Sequence, residues 1–485
     1  MEEVERLHRK EPKDNSTGIT LAAESNPRSP LSPGPAFWAA AASPEPVPRL
    51  PSHHVAELIA RYGVRVLDAE TPAEIAREVE RTDSDPEGVG IMTRKGRTLL
   101  VRLDGISLKA APLLKQEMLA LGADSAHAKG VADLSVQQTA VVLLGTPAQY
   151  THLIPKLRRQ PFQLRAVADA LEAVLGNYTR AGPRLLEGLH RSLTLANSTV
   201  VMGILNITPD SFSDGGLFDQ PEVAIARGLE IEAEGAQILD VGAESSRPGA
   251  TPISAEQELE RLRGVLPALH DRLKIPISVD TRKPEVARAA LDLGADMVND
   301  VTGLRDPEMR RVIARAGAPA IIVHMRGTPE TMQNNLEYID LRTEVYGTLA
   351  RAVASAIEDG IAPEQLLTDP GLGFGKSTEQ NLDLLHHVSE FRSLGCPVVV
   401  GASRKGFLGR ALGGAPVEVR LEASIAAAVI AALGGVSVVR AHDVAPTVRA
   451  LAVADAARVG RVVDNHAGRD EEFTGSSSSM TKGPT

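Results

Sequence analysis

Apolar and polar residues follow one another along this chain in two rhythms, and the change between them falls near Thr199. Beyond it, short β-branched or apolar runs recur eight times: Val200–Leu205, Gln237–Val241, Ile277–Val279, Met297–Asn299, Ala320–His324, Leu366–Thr368, Val398–Gly401 and Val436–Arg440. Amphipathic stretches of helical period stand between them, including Pro221–Glu234, Ala255–Leu273, Pro284–Leu293, Leu341–Asp359, Glu379–Leu394 and Leu421–Leu433. Eight strand-then-helix units over about 260 residues predict an α/β fold of the (β/α)8 TIM-barrel kind in the C-terminal half. A doubly wound sheet uses the same elements. Eight sequential units are many for it, however, and no Gly-rich dinucleotide fingerprint follows the first run.

Before Thr199 the pattern is mixed. Helical periodicity marks Ala73–Glu80, Ala110–Leu121 and Leu164–Leu175, and strand-like runs mark Val64–Leu67, Val89–Met92, Thr98–Leu103 and Ala140–Leu144. Leu144-Gly145-Thr146-Pro147 reads as a strand end, a turn and a helix start. The stretch Tyr178–Ala196 reads as a linker around Gly182, then a leucine-spaced helical piece suited to closing the bottom of the barrel. Four regions are therefore expected: a disordered Pro/Ser-rich tail (1–50), a smaller mixed α/β extension (51–195), the barrel (196–463) and a polar tail (464–485). The extension offers no paired catalytic carboxylates and no metal-ligand spacing.

Composition narrows the function classes. The 485 residues are 43% hydrophobic and 24% charged, with a net charge of −10. Such a mildly acidic average surface argues against nucleic-acid or membrane partners. Cys396 is the single cysteine, which rules out an intrachain disulfide and fits a reducing, cytoplasmic compartment. It precedes Pro397 and an apolar run, so a buried structural thiol is expected rather than a nucleophile. No signal peptide and no membrane span are expected.

In a TIM barrel the chemistry sits where the strands end. Every strand end here is polar: Asn206 after the first run, Ser246-Arg247-Pro248 after the second, then Asp280, Asn299-Asp300, His324, Asp369, Ser403-Arg404-Lys405 and Arg440-Ala441-His442. Helix caps account for a few such residues, but not for arginines, a lysine and histidines on one rim. Two sets emerge. Asn206, Ser246, Arg247, Arg440 and His442 suit an anion and a hydrated cation. Asp280, Asn299, Asp369 and Lys405 suit the hydrogen-bonding edge of a flat heterocycle. Gly371-Leu372-Gly373-Phe374-Gly375-Lys376-Ser377 looks like a P-loop, but Pro370 stands where its first glycine belongs.

The ordered set of motifs closely resembles dihydropteroate synthase. The pieces are Met202–Gly216, the Gly242–Gly249 loop, Ser278-Val279-Asp280-Thr281, Asn299-Asp300, Asp369–Lys376, Ser403-Arg404-Lys405 and Arg440–Val444. Two positions depart from the family pattern: Ser246 replaces a threonine, keeping its hydroxyl, and Ala441 replaces a larger apolar residue. The resemblance implies condensation of 6-hydroxymethyl-7,8-dihydropterin pyrophosphate with p-aminobenzoate, with Mg2+ as cofactor and Asn206 as its protein ligand. It implies Asp280, Asp369, Lys405 and Arg247 as catalytic residues, Phe212, Pro248 and Ser403 around p-aminobenzoate, sulfonamides as inhibitors, and a homodimer. The extension looks like one found on some bacterial members. Two alternatives share the motifs. A methyltetrahydrofolate-to-corrinoid methyltransferase needs no pyrophosphate site, against which Arg247, Arg440 and His442 speak. A non-catalytic paralogue keeps the fold, against which intact motifs in every loop speak.

Overall fold

The computed structural model describes residues 53–459 except 68, 70, 180–181, 197, 208–219 and 246–250. The tails expected at 1–50 and 464–485 lie outside the described residues, as do Phe212, Ser246, Arg247 and Pro248. The chain forms two compact units, 1–67 and 68–485. Within the first stands helix α1 (His53–Tyr62). Val64–Leu67, expected as a strand, forms none: Val66 is 97% exposed, and β-branched residues with no strand beside them have nothing to pair with.

The second unit opens with α2 (Pro72–Glu80) and α3 (Pro86–Thr93). α3 contains the Val89–Met92 run that was expected as a strand. Pro86 stands in its first turn and the Asp85 carboxylate accepts from Glu87 N at 3.0 Å, so helix-start chemistry outweighs four apolar residues in a row. A three-stranded antiparallel sheet follows, of β1 (Leu99–Ser107), β2 (Asp124–His127) and the central β3 (Gln138–Gly145). Helices α4 (Ala110–Ala120), α5 (Pro147–Leu157) and α6 (Leu164–Thr179) pack on it around Leu114, Met118, Leu143, Leu153 and Leu171. The expected turn into α5 is present: Thr146 caps it, with Gln149 closing the box and Pro147 in the first turn.

Tyr178–Ala196 corrects the helical expectation. Arg184–Glu187 (β4) and Ser192–Leu195 (β5) form an antiparallel hairpin, because leucines two apart put one row of side chains on one face. Leu186 and Leu195 plug the barrel floor, joining a cluster with Val200, Met202, Ile238 and Met297. The buried Asp296 carboxylate anchors this plug: it accepts from His190 N, Arg191 N and Ile277 N, each at 2.8 Å, and from Arg191 Nη1 at 2.9 Å.

The barrel strands are β6 (Val200–Asn206), β7 (Ile238–Gly242), β8 (Ile277–Asp280), β9 (Met297–Asp300), β10 (Ala320–Val323), β11 (Leu366–Asp369), β12 (Val399–Val400) and β13 (Val438–Ala441). All pair in parallel in the order β11-β10-β9-β8-β7-β6-β13-β12, and a bridge between Thr368 and Val398 closes the ring. Around it lie α7 (Gln220–Ala233), α8 (Ala255–Arg263), α9 (Leu266–Arg272), α10 (Pro284–Asp292), α11 (Pro307–Ala316), α12 (Leu341–Glu358), α13 (Thr378–His386), α14 (Gly406–Ala411), α15 (Leu421–Leu433) and α16 (Val444–Val459). The single helix expected over Ala255–Leu273 is two, broken at Gly264–Val265 ahead of Pro267. Glu379–Leu394 also divides, its second part being a 3-10 helix over Val388–Leu394.

Candidate active site

Strand periodicity builds the site. Successive side chains on a strand point to opposite faces, so positions two apart share one. Ile238, Met297, Leu367 and Val438 belong to the cluster inside the barrel. Two residues further along the same strands stand Asp240, Asn299, Asp369 and Arg440, and Asp280 ends β8 between them. Each strand thus changes from apolar to polar over its last inward step, and a polar layer lies on the apolar floor.

Charges in that layer persist only when paired. Arg440 is the centre of one network: its Nη2 donates to Asp280 Oδ2 at 2.9 Å and its Nε to Asp240 Oδ2. Asn299 Nδ2 donates to the same Asp240 oxygen at 3.2 Å. Burial lowers the guanidinium's proton affinity, but Asp240 and Asp280 more than offset it. Burial, aided by Asp240, Glu258 and Asp300, pushes the Asp280 carboxyl up to about 7 against the pull of Arg440. Asn299 Oδ1 and Asp240 Oδ1 are buried without a hydrogen-bond partner among the described residues. Such orphaned acceptors mark where a ligand's N–H groups fit.

A second network stands opposite. Burial also raises the carboxyl of Asp369, whose Oδ1 accepts from Gly371 N at 2.6 Å. Lys405 Nζ donates to Leu372 O and lies 4.1 Å from the centre of the Phe374 ring, and burial pulls its ammonium down to about 8. The loop between them is held from below by Lys376, only 1% exposed, which donates to Gly371 O at 2.9 Å and Phe374 O at 3.0 Å. Its Nζ also meets His324 Nδ1 at 2.9 Å, and desolvation holds that imidazole neutral. Gly371 is required here: at φ +69 its backbone is left-handed, and a Cβ would fall 1.9 Å from His324 O.

The remaining candidates divide. Asn206 ends β6 beside Gly242, whose missing Cβ would sit 3.5 Å from Asn206 Oδ1 and 3.6 Å from the Asp280 side chain. Ser403 Oγ accepts from His442 N at 3.1 Å and lies 3.0 Å from His442 Nδ1, so those two act as a pair. His324 stands at a strand end and Lys376 in the Gly-rich motif, as the sequence reading has them, but neither carries an assigned role there, and Asp240 is not among the sequence-derived candidates. Asp240 lies inside a run read as apolar, and Lys376 lies in the Gly-rich segment whose P-loop likeness was set aside. An ionisable residue in mid-strand was the available signal for Asp240.

A family model described as "Pterin binding enzyme" matches residues 202–442. Dihydropteroate synthase of Escherichia coli is 44% identical over 256 residues, which is 53% of this chain and 90% of that protein. The chain belongs to the dihydropteroate synthase family. Dihydropteroate synthase of Xanthomonas albilineans, solved with 4-aminobenzoic acid, superposes with a TM-score of 0.54 at 44% identity, covering 57% of this chain and 98% of that one. A probable bifunctional folylpolyglutamate synthase/dihydropteroate synthase of Halobacterium salinarum is 40% identical over 385 residues, or 79% of this chain. That match is longer than the barrel, so the likeness extends into the N-terminal part. The chain spans about half the length of that relative, 46%. Among the described residues no helix is long and apolar enough to cross a membrane. Cys396, expected to be structural, is 8% exposed, with burial pushing its thiol up to about 11.

Proposed function

We propose that this chain condenses 6-hydroxymethyl-7,8-dihydropterin pyrophosphate with p-aminobenzoate, giving 7,8-dihydropteroate and pyrophosphate. The observation that carries the reading is the polar layer at the strand ends, where the buried Asn299 Oδ1 and Asp240 Oδ1 have no hydrogen-bond partner among the described residues. An amino-pyrimidine edge supplies the N–H donors which those acceptors lack, and Lys405 donates to a ring acceptor. Membership of the family and the 4-aminobenzoic acid bound by the Xanthomonas albilineans relative support both substrates.

In the reaction the arylamine nitrogen forms a bond to the pterin methylene carbon, the carbon–oxygen bond to pyrophosphate breaks, and one amine proton is released. An arylamine is neutral near pH 7 and attacks without a strong base. The charge that develops is positive on the pterin side, where Asp280 and Asp369 would balance it, and negative on the leaving group. Arg440 and His442 are the assigned partners of the leaving group, together with Ser246 and Arg247, which lie outside the described residues. Positioning and charge stabilisation supply the acceleration. Among the described residues no group of three or more His, Cys, Asp or Glu forms a metal cage. Asn206, at the end of β6, would give a side-chain oxygen to a Mg2+ ion, which keeps most of its waters and takes one or two protein oxygens plus phosphate oxygens. Bound there, the ion would neutralise charge on the departing pyrophosphate. Phe212, Pro248 and Ser403 are assigned to the p-aminobenzoate pocket, sulfonamides to the same pocket as inhibitors, and a homodimer is the assembly we expect in the cytoplasm.

Chromatographic detection of 7,8-dihydropteroate from the two purified substrates tests the proposal. Product that appears with the wild-type chain and not with Asp369→Ala supports it. A folded wild-type chain that makes none refutes it.

A further inference from the structure

Outside the barrel, between α11, α12 and the outer side of β10, lies a second cavity of about 260 Å³. It shares no residue with the polar layer. Its floor is apolar, of Ile322, Leu349 and Ala352, and its rim carries three guanidiniums, those of Arg305, Arg310 and Arg351. Hydroxyls of Thr348 and Ser355 stand between, and no carboxylate lines it. Arg310 is neutralised by Asp359, with Nε to Oδ2 at 2.6 Å. The other two form no ion pair among the described residues, although Arg305 lies near enough to the buried Asp300 carboxylate to favour its charge. Arg305 is directed by backbone oxygens, with Nη1 to Gly327 O at 2.8 Å, and Arg351 makes only a 3.1 Å bond from Nη2 to Thr348 Oγ1.

The rim is also fixed. Leu304, which lines it, is held at φ 54, a left-handed conformation that is uncommon for a residue with a side chain. Its N–H donates to Asp300 Oδ2 at 2.9 Å and its carbonyl accepts from Arg310 Nη1 at 2.6 Å, so the turn carrying Arg305 is locked from both sides. Strain of this kind gathers where a fold holds a site open. The back wall is His324, whose ring meets Lys376 at 2.9 Å, one side chain from the loop that presents Asp369.

We propose that this cavity is a second ligand site, for a small organic anion with one apolar end. Arginine forks take carboxylate or phosphate oxygens, and the hydroxyls add donors. The volume lies just under the roughly 300–1,000 Å³ of drug-sized sites, which restricts the occupant to a single ring or a short chain.

Calorimetric titration of the full chain with phenyl phosphate and with 3-phenylpropanoate, at low ionic strength, tests this independently of turnover. Saturable binding of at least one probe at a single site is expected, and the arm that binds distinguishes phosphate from carboxylate. Arg351 is exposed, so Arg351→Glu should fold normally and weaken that binding by about tenfold or more. Ala352→Phe, which fills the floor, should abolish it. No saturable binding of either probe overturns the proposal, and so does an affinity unchanged by Arg351→Glu.

Discussion

Asp280 and Lys405 titrate towards each other. Burial first, then neighbouring carboxylates, pushes Asp280 up to about 7, and burial pulls Lys405 down to about 8. Asp280 is charged above its value and Lys405 below its own, so both are charged together only in a narrow window. The affinity for a pterin lacking phosphates should therefore peak between about pH 7 and 8, falling on the acid side as Asp280 gains a proton and on the alkaline side as Lys405 loses one. Calorimetry across pH checks this, and Asp280→Asn should remove the acid limb alone. Removal of Lys405 differs from removal of Arg440. Lys405→Ala leaves ligand acceptors unpaired and should weaken pterin binding by ~1–3 kcal/mol with little change in Tm. Arg440 holds Asp240 and Asp280, so Arg440→Ala strands two buried carboxylates. It should lower stability by ~3–5 kcal/mol and damage pterin and pyrophosphate binding together, as denaturation and titration would show. Asp280, Asn299, Asp369 and Arg440 were readable from sequence because each follows an apolar run where a barrel places its chemistry. The pairing of Arg440 with Asp240 was not, because it joins residues 200 positions apart and exists only once the ring of strands has closed.

The hairpin of β4 and β5 shows what local pattern can and cannot reveal. Leucines at 185, 186, 189, 193 and 195 satisfy a helical and a strand period equally well. The barrel floor decides between them, since Leu186 and Leu195 fill it only from a strand. Long helices were readable from their apolar stripes, whereas α14 is six residues long and α16 has apolar residues on every side, leaving no stripe to detect. The plug depends on Asp296, 0% exposed, which receives three backbone N–H groups and Arg191. Asp296→Ala removes all four partners at once. It should cost about 3–5 kcal/mol in denaturant unfolding while leaving turnover per folded molecule near normal, since the floor lies at the opposite end from the chemistry. A matching loss of turnover in the folded variant would place the hairpin in the reaction.

At the scale of the whole molecule, the part of the extension beyond residue 68 makes side-chain contacts with the barrel. Arg102 Nη2 meets Asp340 Oδ2 at 3.1 Å, Asn177 Nδ2 donates to Ser393 O at 3.3 Å, and Arg184 Nη1 donates to Gly395 O at 2.8 Å. We assign no reacting group before Thr199, and a closed barrel has no open sheet edge for a neighbour to cover. A fragment of residues 183–485 keeps the plug and should retain turnover within about tenfold of the full chain. A fragment from Thr199 loses the plug and should be less stable. Steady-state kinetics on fragments verified by circular dichroism separate these effects, and a loss of about a hundredfold in the folded 183–485 fragment would show that the extension helps to position substrate. The reaction itself is tested most directly by coupled pyrophosphate release from the full chain with dihydropterin pyrophosphate and Mg2+, with and without p-aminobenzoate. Release should depend on p-aminobenzoate and disappear with Asp280→Asn. Release that is absent in the folded wild-type chain, or indifferent to p-aminobenzoate, would contradict the condensation proposed for this site.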